Sequence, residues 1–143
     1  MSKLSPILSG IAGEYLTAGE LSRRGFIASV TLKNSKGVDI LVTNSGATKT
    51  LGIQVKTNQD SLKWWLLDKK AENFFADHLF YVFVNLNSGR APDFFIVPSK
   101  TVAKAIKENH KPIPGVSPAD YDPSVIDIIE DLQPKRRDQA HEI

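Results

Sequence analysis

The sequence predicts a single α/β domain in which a mixed β-sheet is flanked by α-helices. Three observations predict it: apolar residues at helical spacing in residues 5–24, strand-like alternation in segments 37–42 and 51–57, and continuous apolar runs at 79–84 and 93–97 followed by a second helical pattern. The chain has 143 residues, of which 41% are hydrophobic. This size and composition suit one globular domain with its own core.

The N-terminal segment predicts an amphipathic helix that ends at Gly25. The apolar stripe that we expect to face the core consists of Ile7, Leu8, Ile11, Tyr15, Leu16, Ala18 and Leu21. Glu14 falls in line with the last two of these. Because a carboxylate is costly to bury without a partner, a cation or metal ion beside Glu14 would explain it. The alternative is a boundary residue that reaches water or pairs with Arg23 or Arg24.

The two alternating segments carry the polar residues of most interest. Strand alternation places Asp39 on one face of segment 37–42, and Gln54 and Lys56 on one face of segment 51–57. The opposite faces are apolar and consist of Val38, Ile40 and Val42 and of Leu51, Ile53 and Val55. The turn-forming connection 43–48 predicts an antiparallel hairpin. Pairing the two apolar faces then brings the three polar side chains together.

This polar cluster has two interpretations. A carboxylate and a neutral oxygen donor can hold Mg²⁺, while a nearby lysine can orient an attacking water or stabilise charge on a phosphate. The alternative is a surface hairpin with the ordinary polar face that alternating strands carry.

In order and spacing, Glu14, Asp39 and the Gln54-x-Lys56 pair resemble the active-site residues of the PD-(D/E)xK nuclease superfamily, which includes restriction endonucleases and archaeal Holliday-junction resolvases. The resemblance covers roughly residues 10–106. It implies a restriction-endonuclease-like fold, with a mixed central sheet flanked by helices, and Mg²⁺-dependent hydrolysis of DNA phosphodiester bonds, with Mn²⁺ as a substitute. This chain departs from the family pattern twice. Val38 stands where the name-giving proline would be, and Gln54 replaces an acidic residue, which lowers the negative charge of the site.

The resemblance also implies a role for each residue. Asp39, the side-chain oxygen of Gln54 and the main-chain carbonyl of Val55 would hold the metal. Glu14 would bind a second ion or a water on the metal, and Lys56 would orient the attacking water and offset charge in the transition state. A second hypothesis keeps the fold without the chemistry: a catalytically inactive DNA-binding or assembly module, with Gln54 as the first sign of decay. RNA is also open as the polyphosphate.

Basic residues concentrate in the part of the chain that holds this candidate site. Residues 1–111 carry fifteen Lys and Arg against nine Asp and Glu, whereas residues 112–143 carry three against seven. Such a balance is expected of a protein that approaches a polyphosphate. Because one such site cuts one strand, we expect a homodimer or a higher homo-oligomer on duplex or branched DNA.

Candidate contacts to nucleic acid are Lys36, Lys63, Trp64, Lys69 and Lys70. In the Trp64–Trp65 pair, alternation predicts one buried ring and one exposed ring, and the exposed ring would be available to stack on a base. The alternative is that both rings pack against the core or a dimer partner.

Other site classes find no support in the sequence. The absence of cysteine excludes disulfides and thiolate zinc sites, and the three histidines lack ligand spacing. No apolar run has the length of a signal sequence or a membrane span, so we expect a cytoplasmic protein. We assign residues 1–132 to the nuclease-like domain and residues 133–143 to a polar tail. The proline-rich stretch 111–118 predicts a surface loop without regular structure.

Overall fold

The chain folds into a five-stranded mixed sheet with an α-helix on each face. The structure is a computed structural model that describes residues 2–32, 37–109 and 113–114. Its main elements are α1 (Pro6–Arg23), β1 (Ile27–Val30), β2 (Ile40–Thr43), β3 (Thr50–Asn58), β4 (Trp64–Trp65), a 3₁₀ helix (Lys69–Asn73), β5 (Leu79–Asn85), β6 (Asp93–Pro98), α2 (Ser99–Asn109) and β7 (Ile113–Pro114). The α/β class that the sequence predicts is confirmed.

The sheet has the strand order β1-β2-β3-β5-β6. The pair β3 and β5 is parallel, and the other three pairs are antiparallel. All seven residues of β5 are buried, because apolar side chains cover the sheet on both faces at this strand. The continuous apolar run of this segment predicts such burial. In β6, which lies at the sheet edge, Phe94, Phe95 and Ile96 are half-buried.

Apolar side chains cover the two faces of the sheet as separate layers. The layer under α1 contains Leu21, Phe26, Ile40, Val42, Leu51, Ile53, Val55, Phe80, Val82, Val84 and Leu86. The layer on the other face, with α2 and the 3₁₀ helix, contains Trp65, Ala71, Tyr81, Phe83, Val97, Val102 and Ile106. Since strand side chains alternate, Gln54 and Lys56 lie on the α2 side of β3.

Helix α1 has the predicted ends, and its predicted inward face is right only toward the C-terminus, where Leu21 is buried and Ala18 packs against the core. Ser5 caps its N-terminus by accepting a hydrogen bond from the Leu8 N–H, and Gly25 follows its C-terminus with φ of 95°. The buried positions are Ser9, Gly13, Thr17 and Leu21. Several members of the predicted stripe point to solvent instead, including Ile7, which is 70% exposed, Leu8, Leu16 and Tyr15, which is 65% exposed.

The close approach of α1 to β3 explains why small residues face the sheet and several large apolar residues face solvent. A Cβ atom at Gly13 would lie 1.9 Å from Oγ1 of Thr57, so the helix backbone rests directly on the strand. Only the side of α1 with small residues permits such proximity, because bulky side chains would hold the helix further from the sheet. Local apolar spacing cannot reveal that distance.

The antiparallel hairpin is confirmed in strand pairing and register. Ile40 pairs with Ile53 at the end of the ladder, next to Asp39 and Gln54 in the two strands. In the connection, Oδ1 of Asn44 accepts hydrogen bonds from the backbone N–H groups of Thr48 and Lys49 at 2.8 and 3.1 Å. This side-chain bonding is typical of asparagine in turns and fixes the reversal.

The two tryptophans divide as alternation predicts. Trp65 is 2% exposed and its indole N–H donates to the Val84 carbonyl at 3.3 Å, whereas Trp64 is 48% exposed. They form β4, which pairs with β7. The prediction that stretch 111–118 lacks regular structure was therefore wrong at residues 113–114. The rest of that stretch and the predicted tail at 133–143 lie outside the described residues.

Within the described residues, no helix combines the length and the hydropathy needed to cross a lipid bilayer.

The α1–β3 contact predicts opposite effects of alanine at two helix glycines. Gly13→Ala should lower the free energy of unfolding by about 1–3 kcal/mol, because its methyl group overlaps Thr57. Gly10 has nothing within 4 Å of a Cβ, so Gly10→Ala should raise it by up to about 1 kcal/mol through helix propensity. Urea unfolding of both variants measures the difference. Equal stabilisation by the two substitutions would contradict the packing described.

Candidate functional site

Strand β2 leaves the regular ladder at Asp39. The Asp39 N–H donates to the Ile53 carbonyl of β3 at 2.8 Å, while the Asp39 carbonyl accepts from Thr31 N at 2.8 Å on the opposite side. In a regular antiparallel strand the N–H and C=O of one residue point to the same neighbour. The backbone therefore twists at this residue, and β2 separates from β3 beyond it.

This separation changes the partner of the Val55 N–H. Instead of bonding to a strand backbone, Val55 N donates to Oδ2 of Asp39 at 2.7 Å. The geometry of β3 directs the Val55 carbonyl to the same side as its N–H, toward the gap that β2 leaves. A carboxylate and a main-chain carbonyl, both predicted metal ligands, thus lie at one opening in the sheet.

The same twist corrects one sequence prediction. Alternation predicts that Val38 shares a face with Ile40 and Val42. In the structure, both Cγ atoms of Val38 lie 3.5 Å from the position that a Cβ on Gly52 would occupy. Position 52 faces the α2 side because it alternates with Leu51, so Val38 has crossed to that side. The irregular backbone at Asp39 is the physical reason.

Opposing effects act on the pKa of the Asp39 carboxyl group. Burial raises its pKa above the ordinary value of 3.8, while the hydrogen bond from Val55 N–H and the charge of Lys56 act to lower it. Burial, and to a lesser extent the charge of Asp39, raise the pKa of Tyr81 to about 12. At neutral pH Tyr81 therefore keeps its proton and can serve as a hydrogen-bond donor rather than a base.

Gln54 and Lys56 line an open cavity of about 360 Å³ on the α2 side of the sheet. In the parallel register, Gln54 pairs with Tyr81 and Lys56 with Phe83. The remaining lining residues are Gly37, Leu67, Asp68, Lys70, Ala71, Asn73 and Phe74. The cavity thus begins at the candidate site and extends under the 3₁₀ helix.

Glu14 occupies a different position from the other predicted residues. It is half-buried and follows Gly13 on α1, which packs against the sheet face opposite to Gln54 and Lys56. Arg23 and Arg24, its alternative partners from the sequence, both hydrogen-bond to Glu20, and the pKa of Glu20 is lowered as a result. The structure brings Asp39, Gln54, Val55 and Lys56 together, and the helix that carries Glu14 packs on the other face of the sheet.

The donor atoms at the opening suit a hard cation. Carboxylate, amide and carbonyl oxygens are the ligands that Mg²⁺ takes, with water completing its coordination. Among residues 2–32, 37–109 and 113–114, no three His, Cys, Asp or Glu side chains are grouped as a metal site. Asp39 supplies a carboxylate to this ligand set, and Gln54 and Val55 supply neutral oxygens.

One of the predicted nucleic-acid contacts lines the cavity at this site. Lys63, Trp64, Lys69 and Lys70 are all exposed. Lys70 lines the cavity, whereas the other three are not among its lining residues. Lys36 lies outside the described residues.

The second wall of the site is not predicted by any pattern in the sequence. Tyr81 stands within an apolar run, where only its hydroxyl group signals a role. Asp68, Asn73 and Phe74 carry no pattern of their own, and only the path of the chain between β3 and β5 brings them opposite Gln54. Sequence alone does not give that path.

Comparisons with protein-family models, with curated proteins and with solved structures find no match to this chain.

The electrostatic coupling of Lys56 to Asp39 yields a direct test. Lys56→Met should raise the pKa of Asp39 further, because removing the ammonium removes one of the two effects that favour the charged carboxylate. Lys63→Met serves as the control, since Lys63 is exposed and is not among the groups that shift Asp39. The carboxyl ¹³C chemical shift, followed by NMR against pH, reports the pKa. An unchanged Asp39 titration in Lys56→Met would show that the two groups are not neighbours.

Proposed function

We propose that this protein is a Mg²⁺-dependent DNA endonuclease with a restriction-endonuclease-like fold. The observation that carries the proposal is the opening between β2 and β3, where the Asp39 carboxylate is fixed by Val55 N–H beside the charge of Lys56. The order of these residues resembles the PD-(D/E)xK pattern, and the mixed five-stranded sheet with a helix on each face is compatible with that fold.

Asp39, the Gln54 amide oxygen and the Val55 carbonyl would hold the metal. When bound, Mg²⁺ polarises the scissile phosphate and lowers the pKa of water at the site. The hydrogen bond from Val55 N–H occupies Oδ2 of Asp39 and orients the carboxylate, so that Oδ1 is the atom we assign to the metal.

Lys56 would act on the reacting phosphate. Its ammonium is near enough to Asp39 to influence the carboxyl pKa, and it lines the cavity that opens at the site. A positive charge there offsets the negative charge that develops on the phosphoryl oxygens and helps to orient the attacking water. Tyr81, protonated at neutral pH, is available to donate a hydrogen bond in the same region.

Glu14 has the weakest structural support of the four catalytic candidates. Its proposed part, binding a second ion or a water, requires its carboxylate to reach past the edge of β3 from the α1 side. The gap that β2 leaves next to Val55 is the opening through which that contact would form. A two-fold homodimer would supply the second site needed to cut both strands of duplex DNA.

A second candidate function is a catalytically inactive DNA-binding or assembly module of the same fold. Two observations favour it. Gln54 stands where the family pattern has a carboxylate, and the described residues contain no group of three metal-ligating side chains. Such a module would bind DNA through its lysines with a strong dependence on salt and none on Mg²⁺.

DNA cleavage tests the first proposal. Purified protein should cut supercoiled, linear or branched DNA in Mg²⁺ or Mn²⁺, and Asp39→Ala should reduce the rate by at least about 100-fold, a loss typical of removing a group that stabilises the transition state. Glu108→Ala, which removes an exposed carboxylate of α2, should cleave at the wild-type rate.

The outcome also separates the two functions. Identical cleavage by wild type and Asp39→Ala would mean that a contaminant or another site cuts the DNA. Metal-independent DNA binding, without cleavage and without calorimetric Mn²⁺ binding that depends on Asp39, would favour the inactive module.

A further inference from the structure

The cavity beside Lys56 extends well beyond what a phosphate needs. Its volume of about 360 Å³ lies within the range of about 300–1,000 Å³ for small-molecule sites. One end is formed by Gln54 and Lys56, the proposed catalytic residues, and the other by the 3₁₀ helix. A substrate whose phosphate lies at Lys56 therefore has an adjoining space on the same side of the sheet.

Two aromatic residues in the cavity lining are held in place. The Phe74 ring contacts the backbone at Gly37, where a Cβ would lie 2.2 Å from Cζ of Phe74, and Gly37 has φ of 71°. Tyr81 is buried and stacks on Phe83, with ring centroids 5.7 Å apart and planes at 11°. A planar aromatic ligand gains stacking or edge contacts from rings that are fixed in this way.

The polar groups of the lining suit a ligand with an anionic part and a hydrogen-bonding part. Lys56 and Lys70 contribute two ammonium groups against the single carboxylate of Asp68, which accepts a hydrogen bond from the Lys70 backbone N–H at 3.0 Å. The Asn73 amide can donate and accept, as is required at the edge of a nucleobase. A nucleotide combines these properties: a phosphate, an aromatic face and a polar edge.

A base within a duplex cannot use such a cavity, because its two faces are covered by its neighbours in the stack. Enzymes that receive a base in a pocket take it from single-stranded nucleic acid or extrude it from the helix. The cost of extrusion is least where the base is already unpaired.

We propose that this cavity binds one unpaired nucleotide adjacent to the scissile phosphate, and that the preferred substrate is DNA with such a nucleotide rather than continuous duplex. The inference rests on the proposed endonuclease function, and it adds the substrate class and the residues that select it. Phe74 stacks on the base, Asn73 contacts its edge, and Lys70 contacts the neighbouring phosphate.

Cleavage of three DNA substrates of the same sequence tests this inference. The substrates are a single strand, a continuous duplex and a duplex with one bulged nucleotide. The wild type should cleave the bulged and single-stranded forms with kcat/KM at least about ten-fold above that for the duplex, and Phe74→Ala should lower that preference about five-fold or more. Phe75→Ala is the matched control, since Phe75 is the exposed neighbour that does not line the cavity.

A binding measurement without metal makes the test independent of cleavage. With 2-aminopurine at the bulged position and EDTA present, wild type and Phe75→Ala should quench its fluorescence by stacking, whereas Phe74→Ala should not. Phe74 packs partly against the core, so thermal melting must show that Phe74→Ala is folded. Asn73→Ala, at an exposed side chain of the same lining, should weaken quenching in the same direction and provides a second variant.

The outcomes separate this inference from the proposed function. Cleavage that depends on Asp39 but does not distinguish bulged from continuous DNA, with equal quenching by Phe74→Ala and wild type, would overturn the nucleotide cavity and leave the endonuclease intact. Quenching that depends on Phe74, without cleavage in Mg²⁺ or Mn²⁺, would support the cavity and refute the endonuclease.

Discussion

The hydrogen bond from Val55 N–H to the Asp39 carboxylate is the interaction on which the candidate site depends. It forms because β2 leaves β3 one residue before the regular ladder begins at Ile40, so that a side chain replaces a strand as the partner of Val55. Without this hydrogen bond, the Val55 N–H and the Asp39 carboxylate would both lose a partner in a partly buried position. Leaving such a group unsatisfied costs about 1–3 kcal/mol. The bond therefore satisfies the backbone and orients the side chain at once.

The electrostatics of the site follow from the same arrangement. Burial disfavours the charged form of Asp39, and the two groups that favour it are the Val55 N–H and Lys56. A divalent cation at the opening would act in the same direction and more strongly, because it carries twice the charge. Gln54 is neutral, so it adds no repulsion between carboxylates at the site and no charge to attract a cation.

Local patterns in the sequence predicted the elements well, and long-range distances account for what they missed. The bounds of α1 and the register of the hairpin follow from capping residues, turn residues and period-2 alternation, as does the division between Trp64 and Trp65. The inward face of α1 does not, because it depends on how closely Gly13 approaches Thr57 across the core.

The missing parts of the site have a similar origin. Val38 changes face because the backbone twists at Asp39, and alternation assumes a regular strand. Tyr81 and Phe74 line the same cavity as Gln54 because β5 pairs in parallel with β3 and the chain that connects β3 to β5 passes over the α2 face. Asp39, Gln54, Val55 and Lys56 lie close together because they belong to one hairpin, whereas Glu14 comes from a separate helix whose position depends on packing.

An anomalous-scattering map of crystals soaked in Mn²⁺ tests most directly whether the opening between β2 and β3 is a cation site. We expect one peak in contact with Oδ1 of Asp39 and the main-chain carbonyl of Val55, and no such peak in crystals of Asp39→Ala. A well-ordered opening without manganese at a saturating concentration, or a peak bound elsewhere in both proteins, would contradict this expectation.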